Sequence, residues 1–333
     1  MHRKLRTSII GMGRMGRQRY FDSTAHGGFE IVSVCDNTAD LGGYCEKTYD
    51  DWEKCLYDSK PDAVFVCTYN AFIPKIVCGA LKRNIHVFAE KPPGKSLSDA
   101  LAMKEALKNS TANLKFGFNH RFHSSVIEAK ALIESGLLGD VICARGIYGK
   151  AGNLSYEQEW RNDSALSGGG ILLDQGIHML DLLYYFLGEF SSAKSYINIL
   201  GWNNLQVEDN AFVIFQTKKG GVASLHSSAT QWKHKFNLEL ICEYGGIILD
   251  GIITSTKSYG EETITYYKKD LAAISGKLGR PAEHTMCFTN DKSFKLEIDE
   301  FYNSIMTGDP LPNGTIDDAV FIMKTLEDIY NKN

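Results

Sequence analysis

The chain has 333 residues, 44% of them hydrophobic and 23% charged, the balance of a soluble globular protein with about two domains. A disordered chain, which needs fewer apolar residues and more net charge, is excluded. Thirty-six Lys and Arg against 40 Asp and Glu leave a formal charge of −4, so nothing draws the chain generally toward nucleic acid or an anionic membrane, and neither is expected as a partner.

No apolar run approaches the ~18 residues of a membrane span. Leu5 to Ile10 is too short and mixed for a signal-peptide core. The eight cysteines form no CxxC pair and no dense framework, so they read as reduced thiols and the cytoplasm is the expected compartment. Zinc-ligand spacing is absent too; His120 and His123 form an HxxH pair without an acidic or Cys companion, and no metal is expected.

Leu5–Ile10 reads as a short buried strand, followed by Gly-Met-Gly-Arg-Met-Gly at 11–16 and a helical stretch through Tyr20. Phe29–Asp36 is a second strand and Asp62–Thr68 a third, apolar as a strand covered on both faces should be. Ile76–Leu81 falls in a helix and Ile85–Ala89 in a strand. Ser96 to Asp99 has capping-box form ahead of a further helix, and Leu114–Phe118 ends the series. This alternation predicts an α/β domain with a doubly wound parallel sheet.

Near residue 120 the pattern changes. A helix over about Ser125–Ser135 precedes strand-like runs at 140–150, 193–200, 207–217, 221–229, 236–243 and 246–250. A glycine cluster at 168–170 leads into one long helix, about Leu172–Leu187. Helical patterns return at 296–306 and 316–330, the last opened by a capping box at Thr315–Asp318. The second half is therefore expected to be an α+β domain with a large, mostly antiparallel open sheet. The expected boundary is 1–120 against 121–333, with the C-terminal helix able to pack back on the first domain.

The glycine turn follows a strand and opens a helix. Gly11 permits the tight turn, Gly13 lets backbone approach a pyrophosphate, and Gly16 lets helix pack on strand, while the helix N-terminus presents free N–H groups to phosphate. Asp36 lies 20 residues beyond Gly16, where an acid holds the ribose 2′-hydroxyl. A 2′-phosphate would meet that negative charge, and Asn37, Thr38 and Ala39 supply no cation, so NAD is expected ahead of NADP. Arg14 and Arg17 sit on the pyrophosphate side.

Two further segments carry chemistry. Lys91, in Ala-Glu-Lys-Pro-Pro, lies just past a strand's C-terminal end, where open α/β sheets place their ligands. Asp174 and His178 stand four apart in an apolar helix, and Asp181 joins them three residues on. Such polar groups need partners. They form either an internal Asp–His staple or a histidine base oriented by a carboxylate.

Together, GMGRMG at 11–16, TYN at 68–70, AEKPPG at 89–94, FNHRF at 118–122, GLLGDV at 136–141 and GGGILLDQGIHMLDLL at 168–183 resemble the glucose–fructose oxidoreductase / inositol dehydrogenase / MocA (Gfo/Idh/MocA) family of NAD(P)-dependent oxidoreductases. The resemblance spans nearly the whole chain. It implies an N-terminal Rossmann domain, a C-terminal α+β domain whose outer sheet face builds a homodimer or homotetramer, and Lys91, Asp174 and His178 as the catalytic set. Gly11, Met12, Gly13, Arg14, Met15, Gly16, Asp36, Asn37, Thr68, Tyr69, Asn70, Glu90, Lys91 and Asn119 are then expected at the cofactor. Lys91, Arg121, Tyr148, Trp160, Arg161, Asp174 and His178 are expected at the substrate. Two departures stand out: Ile73 replaces the family's histidine after the Thr-x-Asn turn, and the segment from Asn37 to Tyr49, with Gly42-Gly43, is too short for the usual helix.

The expected reaction is NAD-dependent hydride transfer to or from a secondary hydroxyl or keto carbon of a sugar, with His178 as proton acceptor, Asp174 orienting it and Lys91 on the reacting oxygen. Tyr148, Asn153, Tyr156, Trp160, Arg161 and Asn162 suit sugar hydroxyls and ring faces. A nucleotide sugar is the favoured substrate, by analogy alone. The alternatives are an NAD-dependent glycoside hydrolase of the same fold and a non-catalytic sugar- or cofactor-sensing regulator.

Overall fold

The structure, a computed structural model, describes residues 3–271, 275 and 281–332. Two compact units divide the chain. One takes residues up to 119 together with 165–168 and 294–324, the other 120–164, 169–293 and the stretch from 325.

In the first unit, strands β1 (Leu5–Ile10), β2 (Phe29–Cys35), β3 (Thr48–Tyr49), β4 (Ala63–Val66), β5 (His86–Ala89) and β6 (Leu114–Phe116) form one sheet in the order β3-β2-β1-β4-β5-β6. Every pairing is parallel. The order reverses between β1 and β4, the switch point outside which such sheets bind their ligands. β4 is buried at all four positions, as its unbroken apolar run requires of a strand covered on both faces.

Helices α1 (Arg14–His26), α2 (Trp52–Ser59), α3 (Ile73–Leu81) and α4 (Leu97–Lys108) supply the cover. α1 runs past Tyr20 to His26 and stops at Gly27, which adopts the left-handed conformation (φ 76°) that glycine takes without strain. The Ser96–Asp99 capping box forms as read, each side chain accepting from the other residue's backbone N–H. α2 was not anticipated; Asp51 caps it by accepting from Lys54 N. No helix stands between β2 and β3, in keeping with the short segment there. The helix Ser293–Thr307 contributes Ile298, Phe301 and Tyr302 to the same core as Leu5, Ile9, Phe29, Phe65 and Phe88.

The second unit is built on eight strands among the described residues: β7 (Val141–Gly149), β8 (Phe190–Asn198), β9 (Asn210–Thr217), β10 (Val222–Ser228), β11 (Lys235–Cys242), β12 (Gly245–Asp250), β13 (Glu262–Lys268) and β14 (Glu283–Phe288). Their order is β14-β13-β12-β11-β7-β10-β9-β8, with only β7 and β10 parallel. β13 and β14 extend the sheet two strands beyond the runs read from the sequence.

Helices pack on one face. α5 (Ser124–Glu134) follows a short 3-10 turn at Asn119–Phe122. The expected long helix of 172–187 is a π-helical turn, Leu172–Gly176, leading into an α-helix, Ile177–Leu187. This second helix lies so close to β7 that a Cβ on Gly146 would stand 2.5 Å from the sulfur of Met179. The glycine at that strand position is therefore a packing requirement.

Candidate functional site

In the first unit the glycine turn has the geometry its spacing predicts. Gly11 sits at φ 91°, and a Cβ there would stand 2.5 Å from Cys67 O; at Gly16 it would stand 1.8 Å from Gly11 O. Both positions are closed to side chains by the protein's own backbone. Gly13 differs: it is exposed, caps α1 without a side-chain hydrogen bond, and has nothing within 4 Å of a Cβ position. This open backbone at a helix N-terminus fits a dinucleotide pyrophosphate. Arg14 is exposed beside it, Met15 is half-buried, and Met12 is buried in the core.

Asp36 closes the turn from the other side. Oδ2 accepts from Met12 N at 2.7 Å, and Oδ1 accepts from Thr38 N, Thr38 Oγ1 and Ala39 N at 2.8, 3.0 and 2.9 Å. Burial pushes the carboxyl pKa up, but these hydrogen bonds outweigh it and hold the group below its usual value. The acid is thus ionised and fixed, while Asn37 beside it is exposed.

The remaining first-unit candidates divide. Thr68 is half-buried and Tyr69 is exposed; Asn70 is buried, its Nδ2 donating to Ser167 O at 2.8 Å. Ile73, in the place of the family's histidine, is fully buried as the first residue of α3. Asn119 is buried at the head of the 3-10 turn, and Lys91 is half-buried two residues past β5. Glu90, expected at the cofactor, is 7% exposed, and its Oε1 accepts from Arg19 Nε at 2.7 Å. Arg19 Nη2 donates to Glu297 Oε2, also at 2.7 Å. Glu90 therefore belongs to a buried ion network, which its motif did not reveal because Glu297 lies far along the chain.

In the second unit the candidates gather around the π-helical turn. Asp174 accepts from Lys150 Nζ at 2.6 Å and from Arg161 Nε at 3.1 Å. Arg161 also lies over the Trp160 ring, 4.7 Å from its centroid. One turn on, buried His178 stacks on His120, the ring centroids 3.8 Å apart and the planes 17° from parallel. His120 Nε2 meets Tyr148 Oη at 3.0 Å. Tyr259 Oη accepts from Gln175 Nε2, and burial pushes the Tyr259 phenol up to about 12; burial raises Tyr148 as well. Both phenols therefore remain protonated donors near neutral pH.

Three expected residues have partners that spacing alone did not indicate. Asp174, four residues before His178, accepts from Lys150 and Arg161. Arg121, expected at the substrate, is 5% exposed and grips Asp181 in a two-point pair, at 2.9 and 2.6 Å, over the ring of Tyr185. Tyr148, also expected at the substrate, is 5% exposed and hydrogen-bonded to His120. Lys150, Gln175 and Tyr259 were not singled out, and His120 was read only as half of an HxxH pair and as part of the FNHRF motif. Lys150 carries a weaker signal, a cation directly after a strand.

The glycine cluster positions this turn. A Cβ on Gly170 would stand 2.0 Å from Glu208 O, so only glycine lets the segment leading into β9 pass there. Glu208 then caps the turn: its carboxylate accepts from Gly170 N at 2.9 Å, Leu172 N at 3.0 Å and Tyr330 Oη at 2.8 Å. His123 and Glu262 form a separate buried pair at 2.9 Å. No group of three or more metal-type side chains occurs among the described residues, and no helix there is long and apolar enough to cross a membrane.

Comparison with known proteins gives a consistent assignment. A family model for the oxidoreductase family with an NAD-binding Rossmann fold matches residues 5–118, and the GFO/IDH/MocA C-terminal domain matches 126–248. D-glucoside 3-dehydrogenase of Escherichia coli K12 is 28% identical over 250 residues, 67% of this chain and 70% of that protein. The NAD(+)-dependent scyllo-inositol 2-dehydrogenase of Bacillus subtilis 168 is 28% identical over 268 residues, 75% of each chain. Across such curated relatives the matched segments cover from 40% to 79% of the relatives' own lengths. The fold is that of a levoglucosan dehydrogenase solved with NADH and L-sorbose (TM-score 0.85, 19% identity, 99% of this chain and 96% of that one).

Proposed function

The chain belongs to the Gfo/Idh/MocA family of oxidoreductases, with an NAD-binding Rossmann domain at residues 5–118, and on that footing we propose that it is an NAD-dependent dehydrogenase of a sugar or inositol secondary alcohol. The observation that carries this reading is Asp174 held between Lys150 and Arg161, one turn before His178, in a chain whose relatives act on glucosides and inositols.

NAD supplies the hydride acceptor when bound. The chain's own residues handle binding and the proton. The Gly13 backbone and the α1 N-terminus hold the pyrophosphate, and Asp36 takes the ribose hydroxyls. His178 accepts the proton of the reacting hydroxyl, and stacking on His120 fixes its ring plane. Asp174, Lys150 and Arg161 supply one acceptor and two donors for sugar hydroxyls, a charged cluster that tolerates polyols and excludes apolar ligands. Lys91 is a second catalytic candidate, carried by its place in the Glu-Lys-Pro motif.

We also propose that the substrate is a free sugar, glycoside or inositol rather than a nucleotide sugar, since D-glucoside 3-dehydrogenase and the inositol 2-dehydrogenases are among the relatives. A second copy of the chain is proposed to cover the outer sheet face, where Tyr196, Phe212, Ile214 and Val222 are 48–78% exposed on one side of β8, β9 and β10.

The test is NADH formation across glucose, glucosides, inositols and nucleotide sugars, with His178→Ala alongside. General-base loss should lower kcat about 10²–10⁴-fold while NADH still binds. Lys91→Ala should lose at least as much turnover. Unchanged turnover in His178→Ala would refute its role. Release of a free leaving group without net NADH would instead point to glycoside cleavage, and cofactor binding without any turnover to a regulator.

A further inference from the structure

Beside the Asp174 cluster the second unit carries a line of aromatic rings that the proposed chemistry does not use. The Lys150 ammonium that binds Asp174 at 2.6 Å also lies 5.9 Å from the centroid of Tyr156. Tyr156 meets Trp202 at 4.9 Å, and Trp202 meets Trp232 at 5.7 Å, the planes tilted by 44° and 55°. Exposure rises along this line. Tyr156 is 3% exposed, Trp202 is half-buried, and Trp232 is 64% exposed.

The line is built, not incidental. Trp202 Nε1 donates to Ala229 O at 3.0 Å, which fixes the indole. Gly152 exists in a form only glycine allows beside it: a Cβ there would stand 2.3 Å from Trp202 Cζ2, and its φ is 74°. Gly201 likewise makes room for Thr230, whose Cγ2 would stand 2.5 Å from a Cβ. Trp232 itself sits at φ 52°, a left-handed backbone unusual for a large residue and costly for any side chain with a Cβ. The chain thus accepts backbone strain to leave an indole in water.

We propose that Trp202 and Trp232 form an outer subsite that stacks the second, neutral ring of a glycoside or disaccharide whose reacting ring lies at the Asp174–His178 cluster. This rests on the sugar-dehydrogenase reading. Indole faces offer large, rigid apolar area to the C–H face of a pyranose.

The experiment compares wild type with Trp232→Ala and Trp232→Phe on D-glucose, cellobiose and UDP-glucose. NADH formation and quenching of tryptophan fluorescence are both read. Covering roughly 60 Å² of indole face corresponds to about a tenfold gain in affinity. Cellobiose should therefore quench and saturate at about tenfold lower concentration than glucose. Trp232→Ala should raise KM for cellobiose about tenfold and leave glucose unchanged, with Trp232→Phe in between. Equal effects on both sugars, no preference for cellobiose, or a Trp232→Ala loss confined to UDP-glucose would overturn the subsite. So would a change in oligomeric state on gel filtration, which would make Trp232 an interface residue. Failure of every sugar to be oxidised would instead overturn the dehydrogenase reading.

Discussion

Arg19 offers the sharpest physical test of the first unit. Its side chain is fully buried and binds Glu90 and Glu297, both also buried, at 2.7 Å, with the guanidinium 4.2 Å from the Phe88 ring centroid. Arg19→Met keeps most of the stem and removes the charge, leaving two carboxylates facing each other in a dry interior. Breaking a buried pair in this way costs about 3–5 kcal/mol. At about 2–4 °C per kcal/mol for a domain of this size, the thermal midpoint should fall by roughly 6–20 °C near pH 8. The loss should depend on pH. Burial pushes the Glu297 carboxyl up to about 7, overriding the pull of Arg19 and Lys115. A carboxyl raised above its unfolded value near 4.5 favours the folded state most when protonated, so its contribution declines as pH rises through about 7. Without Arg19 that carboxyl rises further, so the variant should recover much of its deficit near pH 5.5. Glu297→Gln in the Arg19→Met background should restore stability at pH 8. Thermal or urea unfolding at both pH values measures this. A deficit under about 1 kcal/mol, or one equal at pH 5.5 and 8, would refute the assignment of the network as a buried charge centre.

Gly13→Ala should leave the melting temperature unchanged, because its Cβ meets nothing, while weakening NAD at least about tenfold by calorimetry. Asp36→Ala removes a charged hydrogen-bond acceptor worth about 1.5–3 kcal/mol, so NAD should bind roughly 10- to 150-fold more weakly and NADP should lose far less. Glu262→Gln should destabilise the second unit at pH 7. Burial raises the Glu262 carboxyl, but His123 and the backbone N–H groups of Ser125 and Ile253 hold it below 4.5. Its contribution is therefore present above that value and lost as pH falls through the depressed pKa, so the two proteins should converge in acid unfolding midpoints.

What could be read directly from the residues was local. The tight turn from Gly11 to Gly16 and the capping boxes at Ser96 and Thr315 depend on neighbours within a few residues, and each formed as read. The alternation of apolar strands and helices likewise announced the parallel sheet. β13 and β14 escaped because they lie past a weakly patterned stretch, and β14 is exposed or half-buried at every position, so it carries no apolar face to detect. α2 escaped because, at eight residues and little more than two turns, it lies at the short end of what a periodic pattern marks.

The partners of polar side chains were decided elsewhere. Nothing near Arg121 in the chain selects Asp181, 60 residues away; nothing near Glu90 selects Arg19; and nothing near Asp174 selects Lys150, 24 residues before it. The reason is physical. Periodicity and capping are set by the backbone's own geometry, which neighbouring residues share. A buried charge, by contrast, must find its counter-ion wherever folding brings one, and that choice belongs to the packed chain.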